Sequence, residues 1–133
     1  MKVSTKVRYA TSAILDIALF GQEKAVSISI ISRRQKISKD YLEQLFRKLK
    51  IAQIITSQKG VYGGYKLNRK PEDITLKNIF EAVGEPTKPV FCLTDITACQ
   101  NAKSCLTRTF WQELEQSINK FLQEKTIAEL MIR

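Results

Sequence analysis

Residues 38–67, SKDYLEQLFRKLKIAQIITSQKGVYGGYKL, decide the fold. In their first half Leu42, Leu45, Phe46 and Leu49 recur at i, i+3, i+4 and i+7, the spacing that puts one apolar stripe on a helix. Ser38 stands where an N-cap belongs. The opposite face carries Lys39, Asp40, Glu43, Gln44, Arg47, Lys48 and Lys50. The second half changes period. Ile54-Ile55-Thr56-Ser57 is rich in β-branched residues and predicts a strand, with Tyr65-Lys66-Leu67 as its partner. Between them, Lys59-Gly60-Val61-Tyr62-Gly63-Gly64 has the glycines that a hairpin tip uses for positive φ. Lys59 and Tyr62 at that tip suit a DNA groove or phosphates. A nucleotide-phosphate loop is a poor fit, because no Gly-Lys-Ser/Thr follows and no helix starts there.

Just upstream, Ser27 can cap a short helix through Ile28, Ile31 and Arg34, and Gln35-Lys36-Ile37 makes a tight connection to the next. Two short helices, the second polar and basic on its outer face, fit a helix-turn-helix. Periodicity alone fits an amphipathic helix with a solvated charged face equally well. The basic hairpin that follows is what turns the reading towards a winged helix. Further upstream, Ser4 is placed to cap a helix with Val7, Ala10, Ile14, Ile17 and Ala18 on its core side, and Gly21 to stop it.

Downstream, Thr75 caps a helix whose apolar face is Leu76, Ile79, Phe80 and Val83, with Ile74 positioned to staple against Ile79 and Gly84 to end it. Pro86 and Pro89 then separate this unit from FCLTDITACQNAKSCLTRTFW, residues 91–111, which holds all three cysteines. After it Leu106, Phe110, Leu114, Ile118, Phe121 and Leu122 form a stripe along one long helix. Too little chain remains to cover such a stripe, so a second copy is the expected partner, alone or together with docking on the first helix. Thr126 and Glu129 match a capping box for a last short helix with Ile127 and Leu130.

Charge supports the same division. The chain has a net charge of +9, but residues 1–70 hold 15 Lys/Arg against 4 Asp/Glu, and residues 71–133 hold 7 against 9. A basic half in an otherwise near-neutral chain is the footprint of a nucleic-acid binder. There is no histidine, which removes the commonest general base and nitrogen ligand and excludes hydrolytic triads and zinc-peptidase motifs. No enzyme is expected. The N-terminus shows no apolar signal region and the apolar runs are too short for a bilayer, so a cytoplasmic protein without a membrane partner is expected. Three clustered cysteines do not make a disulfide framework and suggest a metal or redox site. Zinc is a rival to iron–sulfur chemistry, but the CxxC pair usual in tetrahedral sites is missing.

These pieces together resemble the Rrf-type family of bacterial winged-helix transcription regulators, in particular its IscR-like, iron–sulfur members. The matching segments are KVSTKVRYA, ISKDYLEQLFRKLK, KGVYGGYKL, PEDITLKNIFEAV and CLTRTFWQEL, and the resemblance spans nearly the whole chain. It implies a mainly α fold with a small β-hairpin wing: a winged helix-turn-helix in residues 1–84, a cysteine-containing sensor loop in 85–105, and a dimerisation helix with a short C-terminal helix in 106–133. It implies a repressor that binds a double-stranded, partly palindromic operator as a homodimer, with no small-molecule substrate. By position, Ser38, Lys39, Asp40, Glu43, Gln44, Arg47 and Lys48 of the reading helix address the major groove and its phosphates, and Lys59 and Tyr62 of the wing address the neighbouring minor groove or backbone. Arg47 and Gln44 can donate to base edges, Lys48 and Lys59 suit phosphates, and Glu43 can accept from cytosine or pair with Arg47 at i+4.

The resemblance also implies that Cys92, Cys99 and Cys105 ligate an iron–sulfur cluster, of the 2Fe–2S type, controlling DNA affinity. Here the chain departs from its family. IscR-like members complete the ligand set with a histidine three residues after the last cysteine, and that position holds Arg108. Nitric-oxide-sensing members use an acidic residue in the first helix, where this chain has Arg8. The fourth ligand is therefore unassigned among Asp95, Asp16, a small thiol, solvent and the second subunit. The alternative is a clusterless regulator that responds to thiol oxidation or to a partner protein.

Overall fold

The computed structural model describes residues 1–133. Its helices are α1 (Thr5–Phe20), α2 (Ile28–Gln35), α3 (Lys39–Ile51), α4 (Leu76–Ala82), α5 (Arg108–Glu124) and α6 (Ile127–Met131). One hairpin, β1 (Ile55–Gln58) and β2 (Gly64–Leu67), supplies the only sheet. No helix is long and apolar enough to cross a membrane.

α1 is the hub. Its buried side is built from Val7, Ala10, Ala13, Ile14, Ile17 and Ala18, and the three alanines let α2, α3, α4, α6 and β2 all approach it. Opposite it, Leu42, Leu45, Phe46 and Leu49 of α3 are buried together, as their spacing predicts. Leu122 of α5 and Ile127 of α6 close the same core from the far side. α6 is fastened there by backbone pairing: Ile127 N–H donates to the Ile74 carbonyl at 2.9 Å, and Leu76 N–H donates to the Lys125 carbonyl at 2.9 Å.

A single buried carboxylate ties the first two helices. Asp16 is 1% exposed, and its oxygens accept from Arg34 Nε (2.9 Å), Arg34 Nη2 (2.7 Å) and Gln35 Nε2 (2.8 Å). The Arg34 guanidinium also lies over the Phe20 ring, 4.1 Å from its centroid. Removing Arg34 would leave a buried carboxylate without its compensating charge, which is costly. The hydrogen bonds that Arg34 donates to Asp16 raise its pKa above the ordinary value.

The turn between α2 and α3 is short because Lys36 adopts a left-handed conformation, φ 57°. Ile37 is buried beneath it, and Ser32 Oγ donates to the Ile37 carbonyl at 2.6 Å. Ser27 and Ser38 both cap, accepting from Ile30 N–H and Tyr41 N–H. Ser4 departs from expectation. It occupies the N-cap of α1 without a side-chain cap bond, and its own N–H donates to Glu85 Oε2 at 2.6 Å. A carboxylate 81 residues away thus satisfies the N-cap residue's own N–H, while the Ser4 hydroxyl makes no cap bond.

The wing is rooted in the helical body. β1 and β2 pair antiparallel with Ile55 opposite Leu67 and Gln58 opposite Gly64. Val26 adds a third rung, donating to the Tyr65 carbonyl (2.9 Å) and accepting from Tyr65 N–H (2.8 Å). Gly64, at φ 150°, permits this approach, since a Cβ there would overlap the Val26 carbonyl. α4 starts with a reciprocal capping box between Thr75 and Asn78. In α6 only half of the expected box forms: Thr126 accepts from Glu129 N–H, while the Glu129 carboxylate pairs with Lys125 at 3.4 Å.

Candidate nucleic-acid interface and cysteine segment

The outer face of α3 is free along its whole length. Ser38, Lys39, Asp40, Glu43, Gln44, Arg47, Lys48 and Lys50 are all exposed, each on the side opposite the buried stripe. No ion pair joins Glu43 to Arg47. α3 is held rather than floating. The Tyr9 and Tyr41 rings meet edge to face at 5.8 Å near its start, and Phe46 meets Tyr65 of β2 at 4.6 Å in its middle. Beside it the hairpin tip presents Lys59, Val61 and Tyr62 to solvent, with Tyr62 83% exposed. A rigid helix with a polar basic face, next to a projecting hairpin with a lysine and a tyrosine, has the shape and charge for a duplex groove.

The cysteine segment is built differently. It consists of single 3₁₀ turns at Phe91–Leu93 and Ile96–Ala98 followed by irregular turns, and Ala102 is its one buried residue. Cys92 and Cys105 are half-buried, Cys99 is exposed, and all three are free thiols. Thiolates are the right donors for an iron–sulfur cluster. Their arrangement is open: no three Cys, Asp or Glu side chains converge on a common point. Of the carboxylates considered as a fourth ligand, Asp16 is committed to Arg34 and Gln35 in the core. Asp95 is exposed and accepts from Thr97 N–H (2.9 Å) and Thr97 Oγ1 (2.7 Å), which lowers its pKa.

Arg108 donates from Nη1 to the Cys92 carbonyl at 3.1 Å. It thereby clips the start of the cysteine segment to the start of α5. Cys105 lies beside the same helix end, its sulfur 3.4 Å from Thr107 Oγ1. Trp111 Nε1–H donates to that hydroxyl at 3.2 Å, leaving the Thr107 proton free to point at the sulfur. The hydrogen bonds from Thr107, then the Arg108 backbone N–H and its charge, pull the Cys105 thiol below its usual pKa.

α5 leaves most of its predicted stripe uncovered, while Ile118 and Leu122 pack against the core of the same chain. Leu106 just before it is 100% exposed, Phe110 57% and Phe121 58%, while only Leu122 is buried. Its polar flank is fastened instead. Asn119 Oδ1 accepts from Lys77 Nζ (2.6 Å) and Thr87 Oγ1 (3.0 Å), and Lys88 pairs with Glu115 at 2.8 Å. These contacts hold α4 and the Pro86–Pro89 connection against α5. Sequence reasoning missed this network, as its partners lie 27 to 42 residues apart.

Comparison with known proteins agrees with this architecture. Residues 3–133 match the model of the Rrf2 family, described as iron-dependent transcriptional regulators. The HTH-type transcriptional regulator IscR of Aliivibrio salmonicida (strain LFI1238) is 42% identical over 132 residues, covering 99% of this chain and 78% of that protein. Among solved structures, CymR, the global cysteine regulator of B. subtilis, superposes with TM-score 0.82 at 31% identity, covering 98% of this chain and 96% of the other. IscR of T. potens gives TM-score 0.80 at 32% identity over 98% and 86% of the two chains. The exposed basic helix and its wing are therefore those of a DNA-binding transcriptional regulator, and the chain belongs to the Rrf2 family.

Proposed function

We propose that this regulator acts as a homodimeric repressor whose affinity for a double-stranded operator is set by an iron–sulfur cluster on Cys92, Cys99 and Cys105. The observation that carries the reading is the sequence of surfaces along the chain: an exposed basic face on α3, then accessible thiols, then an uncovered apolar stripe on α5. In this reading residues 1–84 bind DNA, 85–105 sense, and 106–133 dimerise, and the protein works in the cytoplasm. Gln44 and Arg47 read base edges, Glu43 accepts from cytosine, Ser38, Lys39 and Asp40 line the same major groove, Lys48 and Lys59 meet phosphates, and Tyr62 joins Lys59 in anchoring the wing. The two α5 stripes face one another, removing Leu106, Phe110 and Phe121 from water.

When bound, a cluster of the 2Fe–2S type supplies a centre sensitive to oxygen and to cellular iron status. The chain's own part is to bring three thiolates together and to couple their position to α5 through the Arg108–Cys92 clip. With histidine absent and Asp16 committed elsewhere, the fourth ligand is left to Asp95, solvent, a small thiol or the second subunit. Anaerobic reconstitution with iron and sulfide, read by visible absorption and by operator binding, tests this function. Retained cluster absorbance with altered DNA affinity is expected, and a colourless protein whose binding ignores iron would sink it. DNA binding itself should fall by about a thousandfold between roughly 50 and 200 mM salt if six or so phosphates are neutralised.

A second reading keeps the DNA binding and drops the cluster. Its specific support is the open arrangement of the thiols together with the hydrogen-bonded Cys105. Under it, peroxide oxidises a thiol directly, and Cys99→Ser or Cys105→Ser blunts the response of iron-free protein.

A further inference from the structure

Arg69, a basic residue outside the proposed DNA-contact set, holds the junction between reading helix and wing. It lies two residues beyond β2, and its guanidinium meets three residues at once, two at the end of α3 and one in α4. Nη2 donates to the Ala52 carbonyl at 2.8 Å and Nε to the Gln53 carbonyl at 3.3 Å. Nη1 reaches Asn78 Oδ1 at 3.5 Å. Ala52 and Gln53 are the residues at which α3 ends, and Gln53 turns the chain with a left-handed φ of 60°. Asn78 is the capping-box residue of α4, its Oδ1 also accepting from Thr75 N–H at 2.9 Å. Asn68 adds a second tie, its Nδ2 donating to the Gln53 carbonyl at 3.1 Å and its backbone N–H to the Ile54 carbonyl at 2.9 Å.

The geometry points to Arg69 as the positioning residue that fixes the angle between α3 and the hairpin, and so sets how well both fit one operator at the same time. The chain leaves α3 through 52–54 and returns from the wing through 68–70, so these two strands of backbone are the hinge between the surfaces. A guanidinium fork bonded to two successive carbonyls resists rotation about that hinge in a way a single ammonium cannot. Its charge also faces the C-terminal end of α3, where a cation is favoured. Nε, Nη1 and Nη2 each face an acceptor within the protein, which leaves two of the five N–H donors without a protein partner.

The inference rests on the reading that α3 and the wing bind one duplex, and the experiment separates the two. A duplex is selected from a random pool by the wild-type full-length chain. Binding to it, and to a scrambled duplex of equal length, is then measured across salt for wild type, Arg69→Lys, Arg69→Gln and Arg47→Ala. Both Arg69 variants are expected to lose about tenfold on the selected duplex, comparable to one mismatched base pair. They should remain within about twofold on the scrambled one and keep the wild-type salt slope. Hydroxyl-radical footprints should lose protection at the wing flank while the α3 contacts remain.

If Arg69→Lys binds like wild type while Arg69→Gln loses about one unit of salt slope, the residue is a phosphate contact and the positioning role is overturned. If both variants bind like wild type, or lose specific and non-specific binding together with melting temperature, the role is likewise overturned. If Arg47→Ala leaves the selected duplex untouched, the reading of α3 fails instead.

Discussion

The two halves of this chain solve opposite problems. Up to Gly84 the molecule is organised to stay still: it contains nearly every buried side chain, an ion pair on a buried carboxylate, and caps on α2, α3 and α4. Between Gly84 and Phe121, Ala102 is the one buried residue, although that segment is longer than α1 and α2 combined. The first half surrenders flexibility so that two surfaces keep a fixed relation. The second keeps its reactive groups accessible and leaves an apolar stripe uncovered. Stability should therefore depend on substitutions before Gly84, and signalling and assembly on substitutions after it.

The largest effect should come from the ion pair in the static half. Arg34→Met leaves Asp16 buried with Gln35 alone and should cost about 3 kcal/mol, seen as a lower urea midpoint at unchanged m-value. Phe46→Ala comes close behind at roughly 3 kcal/mol, since it empties a fully buried site and loses the edge contact with Tyr65. In the other half, Phe110→Ala should leave the melting curve of the monomer within about 0.5 kcal/mol of wild type. The same change should weaken self-association about tenfold in sedimentation runs if the stripe is the dimer face. An equal fall in monomer stability would show that the stripe is covered within one chain, and the contrast between the halves would fail.

The smallest energetic effect, and the sharpest chemical one, belongs to Cys105. Hydrogen bonds from Thr107 favour its thiolate, so the pKa is lowered and the alkylation rate should reach its plateau at a lower pH than for an unassisted thiol. Thr107→Val removes the hydroxyl donor. In iron-free protein this should move the midpoint of the Cys105 rate profile up in pH, towards that of an unassisted thiol, with almost no change in unfolding. Mass-resolved iodoacetamide kinetics from pH 6 to pH 10 would reveal both shifts, and a Cys105 profile that Thr107→Val leaves unmoved would remove the role given to Thr107.

What the sequence made legible follows the same division. Every residue assigned to the outer face of α3 is exposed and every residue assigned to its stripe is buried, because a 3.6-residue period is a local property. The hairpin, the Thr75 cap and the bare stripe of α5 were readable for the same reason. Asp16 was not, since its meaning depends on Arg34 and Gln35, 18 and 19 residues further along. Nor was the bond from Ser4 N–H to Glu85, or the grip of Arg69 on the end of α3. The cysteine segment has neither a strand nor a helix period, so its turns left no pattern to read, and its chemistry was visible only as composition.

One helix crosses the boundary between the two halves. From Glu115 onward α5 is clamped by Lys88, Lys77 and Thr87, and at its far end by the pairing of α6 with residues 74–76. The seven residues from Arg108 to Leu114 project beyond the last clamp as an arm of about 10 Å at 1.5 Å per residue. A fully hydrogen-bonded rod of that length turns before it bends. A shift of about 2 Å at the Arg108 tip would thus appear as a rotation of roughly 11° about Glu115 and Asn119. Those two side chains would be the fulcrum through which a movement at the thiols, if one occurs on sensing, acts on the body that holds α3.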